Sequence, residues 1–192
     1  IVTMTVGDPS SRKKVFDATG ATAPIALSSD GGSILLGRYI SAVSSKLYLL
    51  DLTSGQLREL NPTKGAIAYA GGEFAPDGKS VTFLQGKPEA KDRLDLWALD
   101  VASGERRLLV DSATLQRDEG RLSPEEEARR ERQRTSSLAG IVDYEFSGDG
   151  RLLLLPLGGD LFVYDLRAAR GSSPVQRLTS TPAAEIRVLP PR

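Results

Sequence analysis

An Asp-Gly pair followed by a run of mostly apolar residues occurs three times in this chain, and this repetition limits the folds available to it. The pairs are Asp30-Gly31, Asp77-Gly78 and Asp149-Gly150. Asp can hydrogen-bond to its own backbone in a turn, and Gly accepts the positive φ that a tight hairpin of this hand requires. The chain is therefore predicted to contain three hairpins of one type.

A second pattern follows each turn, an apolar run closed by Asp and an aliphatic residue: Leu47–Leu52, Leu96–Val101 and Leu161–Leu166. The first two turns, at positions 30 and 77, are 47 positions apart, and the last two, at 77 and 149, are 72 apart. Four-stranded units with a period of about 40 to 50 residues are typical of β-propeller blades. The predicted fold is all-β, a partial β-propeller of about three four-stranded blades with one short helical insertion.

The repeats also predict how the chain divides. Blade one should span 23–62, blade two 66–111 and blade three 140–180, with the helical insertion at 112–139. Residues 1–22 should form a strand pair or the tail of a neighbouring blade, and 181–192 should begin a further blade that remains truncated.

Three local predictions follow from the same pattern. The pair Gly71-Gly72 indicates a β-bulge or a close backbone approach near a crowded axis. The apolar run Leu152–Leu155, followed by Pro156, predicts a strand that is buried on both faces and stops at the proline. Because propeller rings contain about four to eight blades, three blades should leave two end sheets exposed. We therefore expect either association of copies or a longer parent polypeptide.

The insertion contains a predicted helix with three consecutive acidic residues. Ser123 is in the N-cap position, Pro124 is in the first helical position, and Glu125, Glu126 and Glu127 follow. The glutamates could be interpreted as an acid and base pair or as a clamp for an amine. The favoured interpretation is structural, because acidic residues in a first helical turn complement the helix dipole and arginines follow them.

Two other groups of residues have both a binding and a structural interpretation. Tyr48, Trp97 and Phe162 occupy equivalent places in the three repeats, and this recurrence favours packing between sheets over ligand stacking. The run Arg12-Lys13-Lys14 could be a partner patch, but three basic residues beside a turn are usually solvated. No catalytic or metal-binding residue is assigned, and the substrate-binding residues are unknown.

Composition excludes several classes of function for the chain alone. It has 192 residues with 25 basic and 25 acidic side chains, and this balance offers no field to attract nucleic acid. No apolar run is long enough to span a membrane, and no signal peptide is evident. There are no cysteines and no histidines, so a Ser-His-Asp or Cys-His mechanism is impossible within this chain. No cofactor is predicted.

The repeat resembles that of TolB-type propellers and of the prolyl oligopeptidase clan. Between residues 81 and 166, a series of motifs resembles, in order, the N-terminal propeller of bacterial dipeptidyl peptidase IV-like serine peptidases, whereas residues 1–70 match only the general repeat. The motifs are Val81–Lys87, Arg93–Trp97, the helix from Ser123 to Arg134, Gly140–Tyr144 and Pro156–Leu161.

This resemblance implies an eight-bladed propeller that covers an α/β-hydrolase domain carrying the catalytic Ser, Asp and His, in a periplasmic or secreted enzyme. The hydrolase domain is absent from this chain. Family members bind the free amino terminus of the substrate through a Glu-Glu pair, which lies further downstream than this chain reaches. Glu125, Glu126 and Glu127 lie in an upstream helix, so that role is not transferred to them.

Two functions are therefore expected. The first is the noncatalytic propeller portion of a dipeptidyl peptidase-like enzyme, which gates access to the active site and supports peptide binding. Its partners would be the catalytic domain or further blades, and the peptide substrate. The alternative is a stand-alone TolB-like propeller that acts as a protein-binding or assembly scaffold.

Overall fold

The computed structural model describes residues 1–41, 44–60, 69–115, 124–132, 137–169 and 171–179. Within these ranges the chain is almost entirely β-structure, with four sheets and two short helices. The first sheet is the antiparallel pair β1 (Val2–Thr5) and β2 (Asp8–Lys14), which turns at Gly7. The other three sheets are the predicted repeats, and each has its strands in sequence order.

Blade one contains β3 (Ala21–Leu27), β4 (Ser33–Ser41), β5 (Ser44–Asp51) and β6 (Leu57–Glu59). Blade two contains β7 (Tyr69–Phe74), β8 (Ser80–Lys87), β9 (Ala90–Asp100) and β10 (Arg106–Val110). The insertion that follows contributes α1 (Ser112–Leu115), α2 (Pro124–Arg132) and β11 (Ala139–Gly140). Blade three contains β12 (Glu145–Phe146), β13 (Leu152–Leu157), β14 (Asp160–Asp165) and β15 (Val175–Arg177).

The Asp-Gly turn is closed by side chains as well as by the backbone. In blade one, the Ser28 hydroxyl donates to Asp30 Oδ1 at 2.6 Å, and its oxygen accepts the Ser33 amide at 2.9 Å. The same Asp30 oxygen accepts the Gly32 amide at 2.8 Å, and Gly31 has a φ of 69°. These bonds hold the pKa of Asp30 below its ordinary value, with the Ser28 bond as the largest cause. The turn is therefore specified by Ser, Asp and Gly together.

The Asp that ends each third strand closes the next turn. Asp51 accepts the amides of Thr53 and Ser54, and Asp100 accepts the amide and hydroxyl of Ser103. In blade three the corresponding residue is Asp165, whose carboxylate accepts the Arg167 amide and two nitrogens of Arg151. This recurring Asp therefore has a structural role as a turn cap.

The three blades are stacked, with their apolar faces in contact. Blade one packs on blade two through Leu35, Leu47 and Leu49 against Val81, Phe83 and Leu99. Blade two packs on blade three through its opposite face, in a cluster that includes Leu84, Leu94, Leu96, Leu153, Leu155 and Phe162. Blade two is therefore covered on both faces. Successive side chains along one of its strands point to opposite faces of the sheet, so they pack alternately against blade one and blade three.

Two predictions about the strand from Leu152 were wrong. Leu153 and Leu155 are fully buried against blade two, but Leu152 and Leu154 are only half-buried, because within the described chain no sheet covers the other face of blade three. The strand also continues through Pro156 to Leu157. Pro156 lies opposite Leu161 in the ladder between β13 and β14. The Leu161 amide donates to the Thr179 hydroxyl, and its carbonyl accepts the amides of residues 178 and 179. Leu161 therefore needs no hydrogen bond from the Pro156 nitrogen, which has no hydrogen to donate.

The expectation of two exposed end sheets was wrong for blade one. Its outer face carries Ile34, Leu36, Tyr48 and Leu50, all of which are buried. Ile1 and Phe16, which flank the strand pair β1 and β2, pack against this cluster. The N-terminal segment therefore covers one end of the stack.

The insertion is attached to blade two at both of its ends. At the entry, the buried Asp95 carboxylate accepts the amide and hydroxyl of Ser112, each at 2.8 Å, and Lys87 lies 3.4 Å from the same carboxylate. At the exit, β11 pairs in parallel with β9, and Ile141 donates its amide to the Leu94 carbonyl at 3.0 Å. Both ends of the insertion therefore contact the same short stretch of β9.

Candidate functional site

A cavity of about 330 Å³ lies where the first strands of the blades converge. Its walls come from β3, from β7 and from the segment just before β12, and they include Ile25, Gly72, Glu73, Asp143 and Tyr144. In a propeller the blades are arranged around a central channel. A cavity shared by first strands therefore faces the side of the molecule on which that channel lies, and we treat it as the candidate site.

The glycine pair of β7 shapes this cavity, and the predicted bulge is confirmed. The register between β7 and β8 shifts between Ala70 and Glu73, so the intervening glycines have no direct partner in the ladder. Gly72 has a φ of 157°, and a methyl group there would lie 2.6 Å from Leu35 Cδ2. Any larger residue would therefore collide with blade one, and glycine lets the two blades approach closely.

Two carboxylates, Glu73 and Asp143, line the cavity. Glu73 is an exposed residue, and partial desolvation of its carboxylate, followed by the nearby negative charge of Glu145, raises its pKa above the ordinary value. Both causes disfavour the charged carboxylate in the empty cavity. A cation bound there would relieve this electrostatic cost.

Tyr144 fixes one wall of the cavity. Its hydroxyl donates to the Thr82 carbonyl at 2.8 Å and accepts the Thr82 hydroxyl at 3.0 Å. Burial, as the largest cause, raises the pKa of Tyr144, so the phenol stays protonated at neutral pH. Its ring also meets Phe146 edge to face, with centroids 6.5 Å apart. Tyr144 is thus held as part of a rigid wall and has no free hydroxyl to act as an acid or base.

The lining of the cavity is chemically suited to a cationic group. It combines carboxylates with apolar walls from Ile25, Leu84 and Val142, which suits a protonated amine attached to a small apolar side chain. Within the described ranges, no group of three or more His, Cys, Asp or Glu residues is placed to bind a metal ion. Neither described helix is long and apolar enough to cross a membrane.

The equivalent aromatic residues have the packing role that the sequence predicted. Tyr48 and Phe162 are buried in clusters on the same face of their respective blades, and Trp97 is half-buried at the corresponding position of blade two. Each ring faces the preceding layer of the stack. None of the three lines the cavity between the first strands.

Among the charged groups named from the sequence, those with described side chains do not line the cavity. Arg12, Lys13 and Lys14 are exposed on β2, and Lys14 lies 2.6 Å from Asp17. Glu127 is exposed on α2, which begins at Pro124 as predicted, whereas the side chains of Glu125 and Glu126 lie outside the described part of the structure.

Sequence reasoning did not assign Glu73, Asp143 or Tyr144 to a site. Glu73 is about seventy residues away from Asp143 and Tyr144 in the sequence, and only the stacking of blades brings them together. The available indication was the glycine pair next to Glu73, which predicted a close approach near the axis. It could not show which residues from blade three would meet it.

Three solved structures are similar to this chain. TolB from Acinetobacter baumannii superposes with a TM-score of 0.56 and 20% identity, over 91% of this chain and 36% of its own. A structure assigned to TolB from Agrobacterium tumefaciens superposes with a TM-score of 0.56 and 20% identity, over 94% of this chain and 55% of its own. A puromycin hydrolase S511A mutant complexed with PGG superposes with a TM-score of 0.54 and 19% identity, over 82% of this chain and 22% of its own. No protein-family model matches the chain.

The chain is a partial β-propeller. Three stacked four-stranded sheets and the superposition on these structures together show this fold. At about 20% identity the likeness establishes the fold alone. The chain spans 36% and 55% of the lengths of the two TolB chains that it matches.

Proposed function

We propose that this chain is the noncatalytic propeller portion of a dipeptidyl peptidase-like serine peptidase that is periplasmic or secreted. Its role is to gate access to a catalytic α/β-hydrolase domain and to help hold the amino end of the peptide. The observation that carries the proposal is the cavity between the first strands, whose lining includes the carboxylates of Glu73 and Asp143. The ordered motifs between residues 81 and 166 and the superposition on a puromycin hydrolase also support it.

The chemistry of the cavity favours a free peptide amino terminus. A protonated amine next to Glu73 favours the ionised carboxylate, whose pKa is otherwise raised by partial desolvation and by Glu145. A volume of about 330 Å³ accommodates a residue or two of a peptide and excludes a folded domain. Apolar walls from Ile25 and Leu84 suit small aliphatic side chains.

Isothermal titration of the purified chain with Ala-Pro-Ala, and with the same peptide acetylated at its amino terminus, tests this proposal. The free peptide should bind, and acetylation should weaken binding about two- to fivefold, because an ion pair with an exposed carboxylate contributes about 1 kcal/mol or less. Glu73→Gln should produce a similar loss. Glu89→Gln, in the exposed turn between β8 and β9, is the matched control and should bind as the parent does.

The pH dependence gives a second criterion. Because desolvation and the charge of Glu145 raise the pKa of Glu73 above its ordinary value, lowering the pH should weaken binding before an ordinary Glu would titrate, and Glu73→Gln should flatten this dependence. Equal binding of free and acetylated peptide, or an unchanged affinity in Glu73→Gln, would rule out amine recognition in this cavity. The chain alone should not cleave a dipeptidyl nitroanilide, and turnover that followed it through purification would contradict a noncatalytic role.

The alternative function is a TolB-like scaffold for protein binding or assembly. The superposition on two TolB structures over more than nine-tenths of this chain favours it. The parent reading frame distinguishes the two functions. A downstream G-x-S-x-G motif followed by Asp and His would support the peptidase, whereas a stop codon after one more blade would support the scaffold.

A further inference from the structure

One position of the repeat contributes to the wall of the candidate cavity in all three blades. Ile25, Gly72 and Tyr144 each lie two residues before the end of the first strand of their blade, and all three line the cavity. The strand ends themselves are alike in all blades: Leu27, Phe74 and Phe146. The position two residues earlier instead carries a branched side chain, no side chain and an aromatic ring, so it gives the cavity three different walls.

In blade one, a β-bulge places Ile25 in the cavity wall. The register between β3 and β4 shifts between Pro24 and Ala26, so Ile25 is the extra residue of the strand. The register shift of β7 spans the equivalent residue, Gly72. Bulges change the direction of a side chain and are frequent next to binding sites. Ile25 is accordingly 41% exposed although it lies within a strand.

Two glycines fix the position of the Ile25 side chain. A methyl group at Gly37 would lie 2.8 Å from Ile25 Cδ1, and one at Gly72 would lie 3.5 Å from Ile25 Cγ2. The side chain therefore packs against the backbone of β4 on one side and of β7 on the other. Because a β-branched side chain is also stiff at χ1, Ile25 forms a wall that yields little to a ligand.

The charged groups of the cavity come from the other two blades. Glu73 belongs to blade two, and Asp143 lies just before blade three. The residue of blade one that is equivalent to Glu73 is Ala26, which also lines the cavity. The cavity therefore has a charged side formed by blades two and three and an apolar side formed by Ile25 and Ala26.

We propose that Ile25 limits the size of the side chain on the amino-terminal residue of the bound peptide, so that the cavity accepts alanine there and rejects phenylalanine. The inference rests on the proposed function, because it takes the ligand to be a peptide with a free amino terminus. An amine near Glu73 leaves the first side chain of the peptide to the apolar side of the cavity, where Ile25 occupies the space.

Isothermal titration with Ala-Pro-Ala and Phe-Pro-Ala tests this inference, because the two peptides have the same charge and length. The parent should bind Ala-Pro-Ala at least about fivefold more tightly, since an oversized group in a packed site is costly. Ile25→Ala should reduce this preference to about twofold or less, chiefly by strengthening the binding of Phe-Pro-Ala. Ile25→Val, the milder variant, should shift the preference in the same direction by a smaller amount.

Leu27→Ala is the matched control. Leu27 is 59% exposed on the same strand and does not line the cavity, so this variant should keep the preference of the parent. Circular dichroism and thermal unfolding show whether each variant is folded before it is titrated.

Two results would overturn the inference and leave the proposed function standing. One is an equal affinity of the parent for the two free peptides, and the other is a size preference that Ile25→Ala retains as fully as Leu27→Ala does. Acetylated forms of both peptides separate the two claims. A size preference that is lost in Ile25→Ala, but is the same for free and acetylated peptides, would support the role of Ile25 and contradict recognition of the amine. Failure of the parent to bind either free peptide would overturn both.

Discussion

At the scale of single residues, the chain uses serine and aspartate side chains to fix its turns. Ser28 is buried and links the Asp30 carboxylate to the amide of Ser33. Ser147 makes the same two bonds in blade three, to Asp149 and to the amide of Leu152. Blade two has Ala75 at this position, so the repeat includes a natural comparison that lacks the hydroxyl.

Ser28→Ala should lower the free energy of unfolding by about 1 to 2 kcal/mol, because it removes both hydrogen bonds of the hydroxyl, the one donated to Asp30 and the one accepted from the Ser33 amide. Urea denaturation followed by circular dichroism measures the change. Ser29→Ala, at the neighbouring exposed position, is the control and should stay within about 0.5 kcal/mol of the parent. A loss that is equal in both variants would show that the hydroxyl of Ser28 does not specify the turn.

At the scale of the strand and turn, the stacked turns differ in how much room they leave. Gly31 and Gly150 have nearly the same φ, 69° and 66°. A methyl group at Gly31 would meet no described atom within 4 Å, whereas one at Gly150 would lie 2.6 Å from Pro76 Cγ. Replacing either glycine by alanine therefore causes similar backbone strain, and only at position 150 does the added methyl group also collide with a neighbour.

Gly31→Ala should cost about 1 kcal/mol from the positive φ alone, and Gly150→Ala should cost about 1 to 3 kcal/mol more because of overpacking against Pro76. Thermal unfolding of both variants under the same conditions provides the comparison. Equal costs would mean that the turns of blades two and three are not in contact.

The strands themselves could be predicted from the sequence because each turn carries its own chemistry. Asp77-Gly78 and Asp149-Gly150 mark hairpins that the structure contains, and Gly71-Gly72 marks a real bulge. The burial of Leu152 and Leu154 could not be predicted, because it depends on whether another sheet is present. Nothing within an apolar run distinguishes one covered face from two.

At the scale of the whole molecule, the candidate site depends on contacts between blades. Glu73 of blade two and Asp143, just before blade three, meet at one cavity only because the sheets stack. Within the described residues, the same stacking leaves Leu161 of blade three 37% exposed, while Ile1 and Phe16 pack against the outer face of blade one. Neither arrangement is encoded in a local motif, and for this reason the candidate site was not found from the sequence.

Native-state hydrogen exchange tests the stacking of three repeats most directly. Opening free energies should be highest for β8 and β9, because blade two is covered on both faces, and lower for β13 and β14, because blade three is covered on one. The exposed pair β1 and β2 should exchange fastest. Equal protection of β9 and β14, or higher protection of β14, would contradict a stack in which blade two is the central layer.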